Sequence, residues 1–267
     1  MNIEGCSTLV TGASAGIGRE LARQLAGRAR SLILVARRQQ RLEELRDELT
    51  QRHPDLTVHV RVADLAETAQ VNGLLHWLEQ EKIEIDLLIN NAGLGDLGPF
   101  ATSDPERIQR IVLVNMLALT SITRRLLPTM IRNQRGAILN VSSSAGFLPI
   151  AEFSVYAASK AYVTSFSEGL RAELRGTGVS VCALCPGPVH TEFTEIARRP
   201  NQQSSPGPEF AHVSAADVAR VGLAAVEQDR ALVIPGYIMK LGMFLVRITP
   251  MPILRLASGI SAKRTRT

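Results

Sequence analysis

The sequence predicts an α/β fold in which one doubly wound, parallel, seven-stranded sheet forms a single domain. Short apolar runs alternate with longer stretches of helical periodicity, and this order is typical of repeated βαβ units. Several apolar runs show little polar alternation, as expected for strands that are covered by helices on both faces. The length of 267 residues allows one large domain or two small ones, and no linker or internal repeat divides the chain.

The predicted strands and helices alternate along most of the chain. The strands are short runs of apolar and β-branched residues, and the helices carry apolar stripes such as the one formed by Leu42, Leu45 and Leu49. The short links between them imply right-handed crossovers. Strands are predicted at 7–10, 31–36, 57–62, 85–90, 137–142, 179–184 and 231–235, and helices at 17–28, 37–49, 68–80, 105–131 and 154–174.

Residues 190–213 interrupt this alternation because Pro, Ser, Gln and Gly cluster there. The segment predicts a long surface loop or a mobile stretch, and loops of this length in compact domains are usually functional lids or disordered. We therefore place it, as a substrate loop, within a main domain that covers residues 1–236.

A glycine-rich turn follows the first predicted strand. The sequence TGASAGIG contains Gly12, Gly16 and Gly18 and leads directly into a helix. Glycine permits a tight turn and a close approach of the backbone to a phosphate, while the helix N-terminus offers free N–H groups and a positive dipole end. Because this turn lies between the strand and the helix of a βαβ unit, it predicts a site for a dinucleotide diphosphate.

The end of the second strand bears on the choice of cofactor. The chain reads Ala36, Arg37 and Arg38 there, without the carboxylate that would accept hydrogen bonds from an adenosine 2′-hydroxyl. Two guanidinium groups can instead hold a 2′-phosphate, and Arg37 is the preferred contact because it is nearest the strand end. The pattern predicts NADP(H) in preference to NAD(H); alternatively, the two arginines simply begin a solvated helix face.

Five motifs occur in order along the chain: TGASAGIG at 11–18, NNAG at 90–93, NVSSSAG at 140–146, YAASK at 156–160 and PG at 186–187. Together they resemble the short-chain dehydrogenase/reductase family, in its group with the TGxxxGxG turn and the YxxxK pair, over about residues 5–235. The resemblance implies a Rossmann-like dinucleotide-binding domain and an oxidoreductase that is a homo-dimer or homo-tetramer. Ala15 is a departure, because many NADP-using members carry a basic residue there.

The resemblance also implies four catalytic residues. They are Asn115, Ser143, Tyr156 and Lys160, with Asn115 holding a water that links Lys160 to solvent. Three serines compete for one role. Ser143 has the family's spacing from Tyr156, while Ser142 is expected beside the strand end and Ser144 is expected to cap the backbone.

Further positions would contact the cofactor, and Asn90 would steady the central sheet. Asp64 and Leu65 would lie beside the adenine, the NNAG motif along the adenosine, and the PG turn beside the nicotinamide. The expected cofactor-binding residues are Gly12, Ser14, Gly16, Ile17, Gly18, Arg37, Arg38, Asp64, Leu65, Asn91, Ala92, Gly93, Tyr156, Lys160, Pro186, Gly187, Val189 and Thr191.

The YxxxK pair suits hydride transfer to a carbonyl. Negative charge builds on the carbonyl oxygen, which needs a proton donor and a hydrogen-bond donor. Residues four apart share a helix face, so the Lys160 ammonium would lie beside Tyr156 and lower the pKa of its phenol. An isolated pair would more often be a half-buried tyrosine and a solvated lysine, but Ser143, Asn115 and the glycine turn favour catalysis.

The substrate side is predicted to be mainly apolar, which favours a hydrophobic ketone, aldehyde or secondary alcohol, although these residues could equally serve packing. His190 could border the mouth of the pocket or lie in a plain loop. The expected lining residues are Leu94, Gly95, Phe147, Leu148, Ile150, Phe153 and Phe193.

Residues 237–267 form a basic, amphipathic C-terminal extension. Lys240 and Arg247 are seven residues apart and share one stripe of a helix that Pro250 and Pro252 end. The extension is expected to cover the substrate pocket or to pack in a subunit interface. A membrane-surface contact and an irregular buried tail are the alternatives.

Several classes of function are disfavoured. Aromatic residues make up 4% of the chain and the net charge of +5 is diffuse, which argues against nucleic acid. Cys182 and Cys185 would point to opposite faces of a buried strand, which disfavours a metal site. The N-terminus has no secretory pattern, and no apolar run has the length of a membrane span, so a cytoplasmic location, with a peripheral membrane contact as an option, is expected.

These observations predict an NADP(H)-dependent oxidoreductase that moves a hydride between nicotinamide and a carbonyl or secondary alcohol. The expected direction is reduction of a hydrophobic ketone or aldehyde. Two other functions stay open at this point. One is an NADPH-binding regulatory protein without turnover, which the presence of Tyr156 and Lys160 argues against. The other is an NAD-linked alcohol dehydrogenase, which the missing carboxylate after the second strand disfavours.

Overall fold

The computed structural model describes residues 1–199, 212–250 and 252–255, and these residues contain one parallel sheet of seven strands. The order β3-β2-β1-β4-β5-β6-β7 reverses between β1 and β4, which confirms the predicted doubly wound sheet. All six strand pairings are parallel. The strands are β1 (Ser7–Thr11), β2 (Ser31–Ala36), β3 (Thr57–Val62), β4 (Leu87–Asn90), β5 (Gly136–Val141), β6 (Val179–Leu184) and β7 (Leu232–Val233).

Nine α-helices connect or follow the strands in the described part of the chain, and a π-helical turn, Leu113–Ala118, joins the fourth to the fifth. The helices are α1 (Gly16–Leu25), α2 (Gln39–Arg52), α3 (Thr68–Gln80), α4 (Pro105–Val112), α5 (Leu119–Arg132), α6 (Ser154–Glu173), α7 (Glu192–Ala197), α8 (Ala215–Glu227) and α9 (Tyr237–Ile248).

Two of these helices differ from the sequence-based expectation. Helix α8 is absent from the predicted helices; it begins after Ser214, whose hydroxyl accepts a hydrogen bond from the Asp217 amide at 3.0 Å. Helix α7 lies inside the segment predicted as a loop. The Thr191 hydroxyl caps it, accepting from the Phe193 amide at 3.3 Å. The rest of that predicted loop, residues 200–211, lies outside the described residues.

The core has one layer on each side of the sheet. Leu21, Leu45 and Val218 pack from α1, α2 and α8 against one face, while Leu74 and Ile122 pack from α3 and α5 against the other. Residues of the five inner strands alternate between the two layers, so both faces of these strands are buried and their lack of polar alternation is explained. The edge strands β3 and β7 are only partly buried.

A buried polar network ties the centre of the sheet to the helices. The Asn90 amide donates to Asn140 Oδ1 at 2.9 Å and to Thr123 Oγ1 at 3.0 Å, and the Asn140 amide donates to Ser167 Oγ at 2.9 Å. The network joins β4 and β5 to α5 and α6. Asn90 therefore has the expected role in steadying the central sheet, next to the strand ends that carry the site.

The continuous helical stretch Pro105–Arg132 is, among the described residues, the one helix whose length and mean hydropathy of 1.3 match those of a membrane span. The expectation that no run in the chain has these properties was therefore too strong. Ile111, Ile122 and Met130 on this stretch are at most 1% exposed, because they pack inside the fold. We interpret the stretch as a core helix.

Candidate active site

An open cavity of about 1050 Å³ lies over the carboxyl ends of the central strands. It begins at the turn after β1, passes the ends of β4 and β5, and reaches α7 and α9. Clefts at the point where the strand order of a doubly wound sheet reverses are the usual ligand sites of such folds. Of the site residues predicted from the sequence, all except Gly18 and Asn115 line this cavity.

The glycine turn is packed so tightly that it leaves no room for side chains at Gly12 and Gly18. Gly12 has a φ of +69°, and a Cβ placed there would lie 2.7 Å from Asn91 Nδ2. Gly18 is behind the cavity surface, where a Cβ would lie 2.4 Å from the Gly12 carbonyl oxygen, so this glycine packs α1 against the turn. Helix α1 begins without a side-chain cap. Its first N–H groups are thus suited to an anionic ligand.

Asp64 lines the cavity, where its carboxyl group is ionised and accepts hydrogen bonds. Partial burial would raise the pKa of its carboxyl group. The hydrogen bonds from the Ala66 amide, at 3.0 Å, and from Arg110, at 2.5 Å, outweigh the burial, so the pKa lies below its usual range. These two donors also fix the orientation of the carboxylate.

The two arginines after β2 differ in their contacts, although both line the cavity. Arg38 donates to Ser14 Oγ at 3.2 and 3.3 Å and to Glu192 at 2.7 Å. Arg37 is exposed and forms no salt bridge with the described residues. Arg41, one turn further along α2, also donates to Glu192. Neither Arg41 nor Glu192 was predicted from the sequence, and the two residues are about 150 positions apart in the chain.

Tyr156 and Lys160 lie one helical turn apart on α6, and both are buried. The Lys160 ammonium donates to the Val141 carbonyl oxygen at 2.8 Å and lies 5.6 Å from the centroid of the Tyr156 ring. The Tyr156 ring stacks on Phe153, with 4.3 Å between the ring centroids. The helix spacing that the sequence analysis used therefore brings the two groups together.

The ionisation of this pair differs from the expectation that Lys160 lowers the pKa of Tyr156. Burial raises the pKa of Tyr156 to about 12 and lowers the pKa of Lys160 to about 8. The neighbouring Ser143 side chain lowers the pKa of Tyr156, but less than burial raises it. The Lys160 ammonium is turned towards the Val141 carbonyl, and desolvation dominates both shifts. The Tyr156 phenol is therefore protonated at neutral pH.

Ser143 follows β5 and lies beside Tyr156 in the cavity. Its hydroxyl accepts from the Ala145 amide at 3.1 Å and donates to the Pro186 carbonyl at 3.4 Å. Ser143 thus caps the 3₁₀ turn Ser144–Phe147, and the prediction that Ser144 is the capping serine is wrong. Ser142 directly follows the strand, as predicted, and donates to the Lys160 carbonyl oxygen at 2.8 Å.

Asn115 lies in the π-helical turn, behind the cavity surface, and is 1% exposed. Its Oδ1 accepts from the Leu94 amide at 2.8 Å, while its Nδ2 donates to the Leu94 carbonyl at 3.0 Å and to Ser159 Oγ at 2.9 Å. The side chain therefore holds the segment after β4 against α6. Its expected role in holding a water stays a prediction.

The substrate end of the cavity is mainly apolar, as predicted. The prediction for Phe147 is wrong, because this residue does not line the cavity. The centroid of its ring lies 5.7 Å from Arg247 Cζ. His190 does not line it either; its ring stacks on His212 at 4.5 Å. The other six predicted residues line it. Further apolar residues that were not predicted join them, among them Ile196, Ile238, Met239, Met243 and Leu254.

Helix α9 covers this end of the cavity with one face. Met243 is 7% exposed, and Met239 packs so closely on Gly187 that a Cβ there would lie 2.8 Å from the Met239 Cγ. This arrangement agrees with the first of the expectations for the extension. The opposite face of α9 is apolar, and its residues are more than half exposed; they are Tyr237, Leu241, Phe244, Leu245 and Ile248.

The described residues on each side of 200–211 are held by contacts with other parts of the chain. Arg199 forms a salt bridge with buried Asp96, with Nη2 and Oδ2 2.5 Å apart, and Arg107 contacts the same carboxylate at 3.2 Å. Val213 pairs with Val189 in an isolated bridge. The described ends of the segment that was predicted as a substrate loop are therefore anchored by contacts with residues outside 200–211.

The described residues contain no group of three or more His, Cys, Asp or Glu side chains that could hold a metal. Cys6, Cys182 and Cys185 are free and buried, and burial raises the pKa of all three thiols. Cys182 and Cys185 thus have the environment of core thiols.

Comparisons with known proteins agree with this geometry. A family model described as short chain dehydrogenase matches residues 7–202. Sulfoacetaldehyde reductase 2 of Chromohalobacter salexigens is 39% identical over 200 residues, which are 74% of this chain and 78% of that protein.

Two solved structures are similar over most of their length. A short-chain dehydrogenase from Sphingobium yanoikuyae in complex with NADPH has a TM-score of 0.78 and 29% identity, covering 92% of this chain and 97% of its own. The bulky-bulky ketone specific alcohol dehydrogenase from Comamonas testosteroni has a TM-score of 0.75 and 26% identity, covering 94% and 96%.

Proposed function

Because the chain belongs to the short-chain dehydrogenase/reductase family, we propose that it uses NADP(H) to reduce a hydrophobic ketone or aldehyde. The reaction class follows from the family, whose members are oxidoreductases that act on carbonyl or CH–OH groups with NAD(P). One observation supports a hydrophobic ketone or aldehyde as the substrate. The buried Tyr156 and the Ser143 hydroxyl face a mainly apolar pocket at one end of a cavity whose other end holds the glycine turn.

The residues of the cavity fit a dinucleotide along its length. Gly12, Gly16 and the α1 N-terminus would hold the diphosphate, and Asp64 would accept a hydrogen bond from the adenine. Arg37 and Arg38 are the cations nearest the expected ribose phosphate. The remaining expected contacts border the same path: Ser14, Ile17, Leu65, Asn91, Ala92, Gly93, Pro186, Gly187, Val189 and Thr191.

When bound, the reduced nicotinamide supplies a hydride. In our proposal the Ser143 hydroxyl and the Tyr156 phenol donate hydrogen bonds to the substrate carbonyl oxygen and stabilise the charge that develops on it. The Tyr156 phenol then gives its proton to that oxygen. Burial raises the pKa of Tyr156, so at neutral pH the phenol carries the proton that reduction requires. The Lys160 ammonium would stabilise the phenolate that remains.

The pocket composition favours apolar substrates over anionic ones. Phe153, Phe193 and Met243 supply a hydrophobic surface, and Glu152 is a carboxylate at the same end. A carboxylate repels substrate anions, which argues against a sulfonate such as the one that the Chromohalobacter relative is named for. The structural relative that is specific for bulky ketones supports the same direction.

The experiment that tests this function is consumption of NADPH and NADH with a panel of apolar ketones, aldehydes and quinones. Turnover with an apolar carbonyl is expected, together with a higher kcat/KM for NADPH than for NADH. Tight NADPH binding with no turnover on any panel member would contradict the proposal and favour the regulatory, NADPH-binding alternative. Faster turnover with NADH would favour the NAD-linked dehydrogenase.

Arg37→Asp is expected to shift the ratio of kcat/KM for NADPH to that for NADH towards NADH by about tenfold or more. The substitution replaces a cation by an anion at the end of β2, and a charge-assisted hydrogen bond contributes about 1.5–3 kcal/mol. Arg124→Asp is the matched control, because Arg124 is an exposed arginine on α5 that does not line the cavity. An unchanged ratio in Arg37→Asp would mean that Arg37 does not contact the phosphate.

We further propose that the exposed face of α9 contacts an anionic membrane surface. Leu241 and Phe244 are 54% and 59% exposed on this face, while the opposite face of the helix covers the pocket. Residues 237–267 contain six Lys or Arg and no Asp or Glu. Lys240 and Arg247 are exposed on the same helix, so two copies packed through this face in a symmetric dimer would bring like charges together, whereas anionic lipid complements them.

Flotation with phosphatidylcholine vesicles, with and without phosphatidylserine, tests this contact. The full chain is expected to float with the anionic vesicles and less so at high salt. The double substitution Leu241→Glu/Phe244→Glu keeps the pocket face of α9 and is expected to abolish flotation. Leu117→Glu, at an exposed leucine elsewhere, is the control. Equal absence of binding in all chains would refute the contact, and a smaller oligomer in the double variant would assign the face to a second copy.

We propose that the protein is cytoplasmic and forms a homo-dimer or a homo-tetramer. The three free, buried cysteines fit a reducing, cytoplasmic compartment. A homo-dimer or homo-tetramer is the expected assembly, and sedimentation of the full chain measures it.

A further inference from the structure

The Glu192 carboxylate bridges two arginines at the adenosine end of the cavity. Its Oε2 accepts from Arg38 Nη1 at 2.7 Å, and its Oε1 accepts from Arg41. Arg38 is in turn bonded to the Ser14 hydroxyl of the glycine turn. Glu192 therefore links α7 of the substrate loop to α2, close to the place where a ribose phosphate is expected.

Glu192 is an anion bound by two arginines, Arg38 and Arg41, and all three side chains are accessible to a ligand. The side chains of Glu192, Arg38 and Arg41 are each about two-fifths exposed. The hydrogen bonds from Arg38 and Arg41 lower the pKa of Glu192, so the carboxylate is ionised at neutral pH. Asp64, the other carboxylate at this end, is already bonded to Arg110.

A ribose 2′-phosphate would need the donors that Glu192 occupies. Guanidinium groups bind phosphate and carboxylate through the same paired N–H groups, and two anions that share them repel each other. A dinucleotide without the 2′-phosphate needs neither arginine. Although β2 ends without a carboxylate, the fold thus supplies one from a distant segment.

We infer that Glu192 competes with the 2′-phosphate for Arg38 and Arg41, and that phosphate binding releases the first turn of α7. This inference rests on the proposed use of NADP(H) and adds a specificity-determining residue to it. Glu192 lowers the affinity for the phosphorylated cofactor and ties the position of α7 to which cofactor is bound.

The release would be confined to one end of α7. At the other end, the Leu97 amide donates to the Ala197 carbonyl at 2.8 Å, and Arg107 donates to the Ile196 carbonyl. The residue after Glu192 is Phe193, whose ring centroid lies 5.2 Å from that of Tyr156. Movement of the first turn would therefore change the surface that contacts Tyr156 and the substrate.

Calorimetric titration with adenosine 2′,5′-bisphosphate and with 5′-AMP tests the competition, because the two probes differ only in the 2′-phosphate. Glu192→Gln is expected to bind the bisphosphate about tenfold more tightly than wild type and to bind 5′-AMP unchanged. Glu195→Gln, an exposed glutamate on the same helix, is the control. Unchanged affinity for both probes would overturn the inference. Weaker binding of 5′-AMP would also overturn it, because Glu192 would then hold the ribose hydroxyl.

Hydrogen exchange of wild-type residues 192–196 tests the release of α7. Exchange is expected to quicken with saturating bisphosphate and to stay unchanged with 5′-AMP. Equal exchange with both probes would contradict the release. The proposed preference for NADP(H) is tested separately, by titrating wild type with NADPH and with NADH. The competition is tested by the ratio of the bisphosphate affinity of Glu192→Gln to that of wild type.

Discussion

Tyr156→Phe is expected to lower kcat for carbonyl reduction by about a thousandfold, since general acid catalysis contributes roughly 10²–10⁴-fold. The substitution removes only the phenolic hydroxyl. The ring contacts with Phe153 and Phe193, at 4.3 and 5.2 Å, remain, so the fold and the cofactor affinity are expected to persist. Steady-state kinetics and NADPH titration of the same preparation separate the two quantities.

Tyr162→Phe is the matched control for this prediction. Tyr162 lies on the same helix, and its hydroxyl is within hydrogen-bond distance of Thr120 Oγ1, at 2.8 Å, outside the cavity. Its removal is expected to leave kcat within about twofold of wild type. If Tyr156→Phe kept a tenth or more of the wild-type kcat, another group would have to supply the proton.

Lys160→Met is expected to lower kcat by about a hundredfold or more and yet to stabilise the fold at neutral pH. The Lys160 ammonium is buried, and desolvation lowers its pKa from 10.5 to about 8. Below pH 8 the folded chain carries this buried charge at a cost of about 3 kcal/mol. The hydrogen bond to the Val141 carbonyl is lost in the variant, so the net gain is about 2 kcal/mol.

The pH dependence of the unfolding free energy tests the predicted stabilisation by Lys160→Met. Between pH 8 and 10.5 the unfolded chain binds more protons at Lys160 than the folded chain does, so wild-type stability rises with pH in this window. The advantage of Lys160→Met is thus expected to be largest below pH 8 and to vanish by about pH 10.5. Denaturant unfolding measures it, with exposed Lys82→Met as the control. A variant less stable than wild type at pH 7 would show that Lys160 is needed for the fold.

The strands and most helices could be predicted because apolar runs and helical periodicity are visible within a few neighbouring residues. An apolar run such as 31–36 is recognisable without knowledge of its neighbours, and the YxxxK spacing alone places Lys160 beside Tyr156. Ser144 was assigned the wrong role because the choice among three adjacent serines depends on the direction of the chain after β5, which no periodicity encodes.

Contacts between distant segments could not be predicted in the same way. Arg41 and Glu192 meet only because α7 folds back towards α2, and α9 covers the pocket only because β7 ends beside it. The apolar periodicity of α9 gave its amphipathic character, but not which of its faces would be buried. One signal could have identified α8, namely Ser214 and Asp217 at the start of an alanine-rich apolar stretch.

The anchors on either side of residues 200–211 have a consequence for how this enzyme can diverge. Asp96 holds Arg199 on one side, and Val189 holds Val213 on the other. The interval between these two contacts contains none of the predicted catalytic residues, because Tyr156 and Lys160 lie on α6 and Ser143 lies shortly after β5. We therefore expect this interval to tolerate variation in length and sequence that the catalytic positions cannot.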